Sequence, residues 1–74
     1  MTLHEAIVQV LQEARRPMTT REIADAVNQR KLYHRKDGKP VPAKQIGARV
    51  NNHPELFIKD NSKIGLVHWQ DTHV

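Results

Sequence analysis

The sequence predicts an α+β fold that is mainly α-helical, a winged helix-turn-helix in which three helices precede a β-hairpin wing. Two observations predict this fold. Apolar residues recur at helical spacing in three successive segments, and the chain then changes to two strand-like apolar runs joined by a polar turn. With 74 residues, the chain has room for one small core that all these elements must share.

The first two helices each begin with the pattern Thr-x-x-Glu, at Thr2 and at Thr19. In such a capping box, the threonine hydroxyl and the glutamate carboxylate accept hydrogen bonds from backbone N–H groups that a helix start leaves without partners. Apolar residues at helical spacing continue the first helix to about Ala14, and the second through Val27 to about Arg30. Each apolar face is narrow, so both helices need a shared core.

The third helix is predicted over about residues 43 to 53 and has two unlike faces. Its inner face is apolar, with Ala43, Ile46, Gly47 and Val50 at the i, i+3, i+4, i+7 spacing. We interpret the glycine as a place where another helix crosses closely. The outer face carries Lys44, Gln45, Ala48, Arg49 and Asn52. Lys, Arg, Gln and Asn side chains match phosphates and base edges in a DNA major groove, although an ordinary solvated helix surface has a similar composition.

The two strand-like runs are Leu56-Phe57-Ile58-Lys59 and Ile64-Gly65-Leu66-Val67-His68-Trp69. Together they predict the hairpin, and a short strand at Met18-Thr19 between the first two helices would complete a three-stranded sheet. We expect the winged helix-turn-helix domain to occupy residues 1 to 69, and residues 70 to 74 to form a tail or the start of a linker. The predicted core residues are Leu3, Ile7, Val10, Leu11, Ile23, Val27, Leu32, Ile46, Val50, Phe57 and Leu66.

Positive charge is concentrated in one part of the chain. The net charge is +4, but residues 30 to 49 contain seven basic side chains against Asp37 alone and therefore carry +6. Four of the seven basic side chains lie in residues 31 to 42, where Asp37-Gly38 and two prolines indicate a turn before the third helix. We call this segment the basic loop. Like charges in such a block repel one another, so binding to a polyanion such as nucleic acid, or to an anionic surface, lowers their electrostatic energy. A solvated basic loop is the plainer alternative.

Several functional classes are disfavoured by what the chain lacks. It has no cysteine, and its five histidines lack metal-ligand spacing, so we expect no metal and no other cofactor. The carboxylates are explained as helix caps, turn residues and solvated helix residues, so we expect a non-catalytic domain. No apolar run approaches the ~18 residues of a membrane span. We expect a soluble protein with no membrane partner, cytoplasmic and nucleoid-associated in a bacterium or nuclear in a eukaryote.

These features predict a DNA interface made by the third helix, the basic loop and the wing. The helix would face the groove, the loop cations would neutralise phosphates beside it, and one wing lysine would contact the flanking backbone. One 74-residue domain offers few base contacts, so we expect weakly sequence-selective binding of double-stranded DNA. The predicted DNA-binding residues are Lys44, Gln45, Arg49 and Asn52 of the helix, Arg35, Lys36 and Lys39 of the loop, and Lys63 of the wing.

Scattered stretches of the chain also carry a family resemblance. They are Pro17-Met18-Thr19-Thr20-Arg21-Glu22-Ile23-Ala24, Leu32-Tyr33 with Gly38-Lys39-Pro40, Ile46-x-x-x-Val50, and Phe57 followed by Gly65-Leu66. Over residues 3 to 67 the chain resembles the HARE-HTH domain, a winged-helix module of some restriction endonucleases, Asx-like chromatin proteins and the delta subunit of bacterial RNA polymerase. The resemblance implies a DNA-binding accessory domain that links an effector to DNA, with sensing of modified bases as a proposed role. From the Met1 start and the patternless tail we expect it to be the N-terminal module of a larger protein, such as a restriction or modification enzyme or a transcription or chromatin factor.

Other interpretations stay open beside DNA binding. In the delta subunit the same fold serves polymerase binding, so a protein-protein interaction module is the main alternative, with Trp69 as an exposed anchor or, instead, closing the edge of the core. A binder of left-handed DNA would present paired prolines in its wing, which this chain lacks. An enzyme would need converging acids, bases or a metal, and any catalysis is expected in a fused domain. No feature of the sequence predicts an oligomeric state.

Overall fold

Three helices pack beside a three-stranded antiparallel sheet in the computed structural model, which describes residues 1–71. The strand order is β1-β3-β2, so β3 is central. This is the mainly α-helical winged helix-turn-helix that the sequence predicts, including its short first strand. The elements are α1 (Leu3–Ala14), β1 (Met18–Thr19), α2 (Thr20–Gln29), α3 (Ala43–Asn51), β2 (Phe57–Asp60), β3 (Lys63–Leu66) and a 3₁₀ turn over Val67–Asp71. Residues 72–74 of the predicted tail or linker lie outside the described residues.

Both predicted capping boxes are present. The Thr2 backbone N–H donates to the Glu5 carboxylate at 2.9 Å and the Glu5 N–H donates to the Thr2 hydroxyl at 3.3 Å. At the start of α2, the corresponding distances between Thr19 and Glu22 are 2.9 and 3.1 Å. The backbone N–H of the capping threonine is the main cause that lowers the pKa of each glutamate below its ordinary value of 4.5. The ionised glutamates therefore stabilise the two helix starts.

These lowered pKa values predict a specific pH dependence. A carboxyl group whose pKa is lower in the folded chain than in the unfolded chain stabilises the fold above its unfolded pKa, and that contribution is lost as the pH falls through the folded pKa. As the pH falls from about 5 to about 3, the free energy of unfolding should therefore decrease less in the double variant Glu5→Gln, Glu22→Gln than in the wild type. Urea unfolding at several pH values across that range measures this free energy. Parallel stability curves for the two proteins would contradict the expectation.

The core lies between the helices and the inner face of the sheet. It contains ten of the eleven predicted residues, whereas Leu32 is only half-buried and packs against the core from the start of the basic loop. Val41 and Ile64, which were not predicted, are also buried. Val41 extends the core from the loop before α3, and Ile64 extends it from β3. The buried residues are Leu3, Ala6, Ile7, Val10, Leu11, Met18, Ile23, Ala24, Val27, Val41, Ile46, Val50, Phe57, Ile64 and Leu66.

The wing is a tight hairpin. Asn61 and Ser62 both have positive φ, at 51° and 68°, so the strands are joined by two residues in the left-handed conformation that suits the twist of a hairpin. The pairing of β2 with β3 runs from Asp60 opposite Lys63 to Phe57 opposite Leu66.

The prediction that the second strand continues to Trp69 is wrong. β3 ends where its partner β2 begins, and the Val67 N–H donates to the Leu56 carbonyl at 3.0 Å before the chain turns. The 3₁₀ turn brings the Trp69 ring back over Gly65, where an added Cβ would lie 3.2 Å from Trp69 Cζ3. Trp69 is half-buried and packs against the core. Of the two alternatives stated for it, an exposed anchor or a residue that closes the edge of the core, the structure shows the second.

Gly47 is less constrained than the sequence suggests. An added Cβ would have Thr20 Cγ2 of α2 as its nearest neighbour at 3.7 Å, an ordinary van der Waals distance, so the helices do not require glycine there. We expect Gly47→Ala to raise the free energy of unfolding by about 1 kcal/mol, because alanine favours the helix more than glycine does. The matched control is Ala48→Gly on the exposed face, which should lower the free energy of unfolding by a similar amount. Urea unfolding that shows Gly47→Ala to be destabilising would contradict this.

Candidate nucleic-acid interface

The outer face of α3 carries four polar side chains within an arc of about 140°, at 100° per residue. Lys44 and Asn52 are exposed, whereas Gln45 and Arg49 are half-buried. Within residues 1–71 these four side chains form no hydrogen bond or ion pair, so their donors and acceptors are available to a ligand. The helix ends at Asn51, with Asn52 as its C-cap, slightly earlier than predicted, and Asn52 keeps a helical backbone conformation and stays on this face.

The start of α3 is positioned by a side-chain clamp from α2. The Asn28 side-chain amide donates to the Val41 carbonyl at 3.0 Å, and its oxygen accepts from the Val41 N–H at 2.9 Å. Both backbone groups of Val41 are therefore satisfied while its side chain is buried in the core. The clamp ties the end of the basic loop to α2, immediately before α3 begins.

The basic loop has a defined conformation that depends on its one acidic residue. Asp37 accepts from the Arg35 guanidinium at 2.9 Å and from the Lys39 backbone N–H at 3.0 Å. The Gly38 N–H donates to the Arg35 carbonyl at 3.1 Å, and Gly38 has a φ of +74°, which favours glycine. The side chains of Lys36 and Lys39 are exposed and, within the described residues, form no ion pair.

The loop and the third helix meet at Tyr33. A depression of about 290 Å³ is lined by this ring together with Arg35, Lys36, Asp37 and Gln45. A second depression, of about 670 Å³, adjoins it and places Tyr33 beside Arg49 and the N-terminal end of α1. Arg35, Lys36, Gln45 and Arg49 therefore lie around one half-buried aromatic ring. Tyr33 is half-buried and its ring packs against the core.

Lys63 lies apart from this group. It lines a separate depression of about 350 Å³ on the sheet, together with Trp69. Its side chain is exposed, and it lies close enough to the capping box of α2 to contribute to the lowered pKa of Glu22.

A pair of stacked histidines was missed by sequence reasoning. The rings of His4 and His53 have centroids 4.3 Å apart with an angle of 30° between their planes. His53 Nδ1 also lies 3.1 Å from the Glu55 carboxylate. The pair joins the start of α1 to the residue just beyond α3. No local signal could have revealed it, because the partners are far apart in the chain.

Two other classes of site are absent from residues 1–71. No group of three histidine, aspartate or glutamate side chains is arranged there to hold a metal ion. None of the helices in this part of the chain is long and apolar enough to cross a bilayer.

One of three comparisons with known proteins found a match. Searches of curated proteins and of solved structures gave no match. A family model does match residues 1–69, nearly the whole chain, and its description is that of a helix-turn-helix domain of ASXL proteins and restriction endonucleases. The chain therefore belongs to the HARE-HTH family of helix-turn-helix DNA-binding domains.

Proposed function

We propose that this domain docks α3 in the major groove of double-stranded DNA and places its basic loop on the adjacent phosphates. The observation that carries the proposal is the concentration of charge and free donors on one surface. Residues 30 to 49 carry +6, and the loop that holds much of this charge abuts the outer face of α3 around Tyr33. Cations that neutralise phosphates release counterions from DNA, which supplies most of the affinity of such a surface.

Base readout would be limited and would come from α3. Arg49 or Lys44 suits the acceptors of guanine, and Gln45 or Asn52 suits the donor and acceptor of adenine. Lys63 would contact the flanking backbone from the wing, as a contact separate from the main surface. Few base contacts favour weak sequence selectivity, as in an accessory domain that supplies DNA affinity to a restriction, modification, transcription or chromatin protein. Such a domain would act in the bacterial nucleoid or the eukaryotic nucleus, and any catalysis would belong to a fused domain.

A salt titration tests this proposal. The purified domain is titrated into a fluorescent random-sequence duplex of about 16 base pairs at several salt concentrations. If about five phosphates are engaged, log K should fall with log salt with a slope on the order of −4 to −5. Absence of binding at low salt would overturn the proposal.

A protein partner is the second candidate function. It is favoured by the depression of about 350 Å³ on the sheet, where Pro17, Ile58 and Trp69 lie beside the polar Asp60, Asn61 and Lys63. Large apolar side chains around a concavity are typical of interaction surfaces. A domain that binds no DNA at low salt but loses a protein partner on Ile58→Ser would fit this function instead.

A further inference from the structure

Another concavity lies between the C-terminal end of α2 and the basic loop, and it shares Tyr33, Arg35 and Lys39 with the predicted DNA surface. Its volume is about 390 Å³, within the range of small-molecule sites. Docking of α3 in a groove does not require it. The lining residues are Asn28, Lys31, Tyr33, His34, Arg35, Gly38, Lys39 and Pro40, and we call this concavity the loop cradle.

The loop cradle carries an excess of positive charge. Lys31, Arg35 and Lys39 line it, and the one neighbouring carboxylate is Asp37, which is bound to Arg35. Leaving His34 aside, the local balance is about +2, because these three cations face a single anion. Like charges that line one concavity repel one another, so an anion in the cradle would relieve the repulsion.

The walls of the loop cradle are held in place before any ligand arrives. The Asn28 clamp fixes the exit of the loop, and Asp37 fixes the turn between Arg35 and Lys39. Lys31 has a left-handed backbone with φ of 53°, and its N–H donates to the Asn28 carbonyl at 3.3 Å. A preorganised site loses less conformational entropy on binding than a flexible loop would.

One wall of the loop cradle is suited to a nucleobase. Tyr33 is half-buried and packed against the core, so its ring is a fixed surface, and Pro40 adds a second apolar group. Stacking of a base on an aromatic ring contributes about 1–3 kcal/mol and tolerates any base. The cradle thus combines phosphate-binding cations with a base-stacking ring.

We propose that the loop cradle binds the terminal phosphate monoester of a nucleotide, specifically the phosphorylated 5′ end of a DNA strand, with the end base against Tyr33. This inference rests on the proposed DNA-binding function. A phosphate monoester carries a charge of about −1.5 to −2 near neutral pH, as phosphorylated side chains do, whereas each internal diester carries −1. The local balance in the cradle therefore matches a strand end better than an internal phosphate.

The test compares two duplexes that differ only at a short 5′ overhang, which ends in a phosphate or in a hydroxyl group. The wild type should bind the phosphorylated duplex about tenfold more tightly, because the added charge of about −1.5 to −2 is met by the cations of the cradle. Lys31→Gln should reduce this ratio to about one, while weakening the hydroxyl duplex only by the small amount that the loss of one net charge causes. Lys31→Arg should restore it. Lys36→Gln, the matched control outside the cradle, should weaken both duplexes and keep the ratio.

The possible outcomes separate this inference from the function on which it rests. Equal affinity of the wild type for the two duplexes would overturn the loop cradle as a strand-end site and leave groove docking intact. Binding of neither duplex would overturn both. Adenosine monophosphate alone distinguishes the source of the nucleotide. If it shifts the amide resonances around Lys31 and Tyr33 while the two duplexes bind equally, the cradle binds a free nucleotide and the strand-end assignment is wrong.

Discussion

Asn28→Ala should lower the free energy of unfolding by about 2–3 kcal/mol. The variant loses two hydrogen bonds to the backbone of Val41 and leaves a partly buried N–H and carbonyl without partners, which costs more than the bonds themselves contribute. For a 74-residue domain, this is a large fraction of the total stability. The loop and the start of α3 would also lose their fixed position. Urea unfolding measures the first effect, and amide hydrogen exchange in residues 35–44 measures the second.

Two matched variants isolate the contribution of the Asn28 clamp. Asn28→Asp keeps the shape but replaces the donor to the Val41 carbonyl with a carboxylate oxygen, so it should destabilise the domain at least as much at neutral pH. Gln29→Ala, an exposed change in the same helical turn, should stay within about 0.5 kcal/mol of the wild type. If Asn28→Ala behaved like Gln29→Ala, the clamp would not position the loop.

Lys44→Gln combined with Arg49→Gln should weaken DNA binding about 100-fold. Arg49 is offered as a bidentate base contact, which contributes about 1–3 kcal/mol, and Lys44 as a phosphate contact near the start of the helix. Losing these cations should also make the salt dependence shallower by about one to two units of slope. Because both side chains lie on the outer face, stability should be nearly unchanged.

The control for this pair removes the same charge elsewhere. Arg15 and Arg16 directly follow the C-terminal end of α1 and lie outside residues 30 to 49, whereas Arg49 lies beside the N-terminal end of α1. Arg15→Gln with Arg16→Gln should therefore change the affinity only through the net charge, by a few-fold at low salt. Equal weakening by both pairs would mean that binding depends on total charge and not on the α3 surface.

Signals that act over a few residues made much of this fold predictable. Each capping box is complete within four residues, so Thr2 and Thr19 located two helix starts correctly. Helical apolar spacing predicted the third helix, and two strand-like apolar runs around a polar turn predicted the hairpin. The end of β3 was missed because, in an antiparallel pair, β3 ends opposite the first residue of β2, and the start of β2 was not visible from the run after Ile64.

The candidate interface was predictable in its residues but not in its geometry. The residue types and charge of α3 and the loop are sequence properties, and these are what the predicted set used. The Asn28 clamp spans 13 residues and depends on how the loop returns to α2, so no local pattern reveals it. For the same reason, the role of Tyr33 as the junction between loop and helix, and the separation of Lys63 from the other cations, became visible only with the fold.

The most direct test of the DNA surface is a titration of the ¹⁵N-labelled domain with duplex DNA, followed by amide chemical shifts. We expect the largest changes in residues 35–39 and 43–52, including the side-chain amides of Gln45 and Asn52, with small changes around Trp69. Such a pattern would place DNA on α3 and the basic loop. Changes concentrated around Trp69 and Ile58, with α3 unaffected, would contradict groove docking and move the binding site to the sheet.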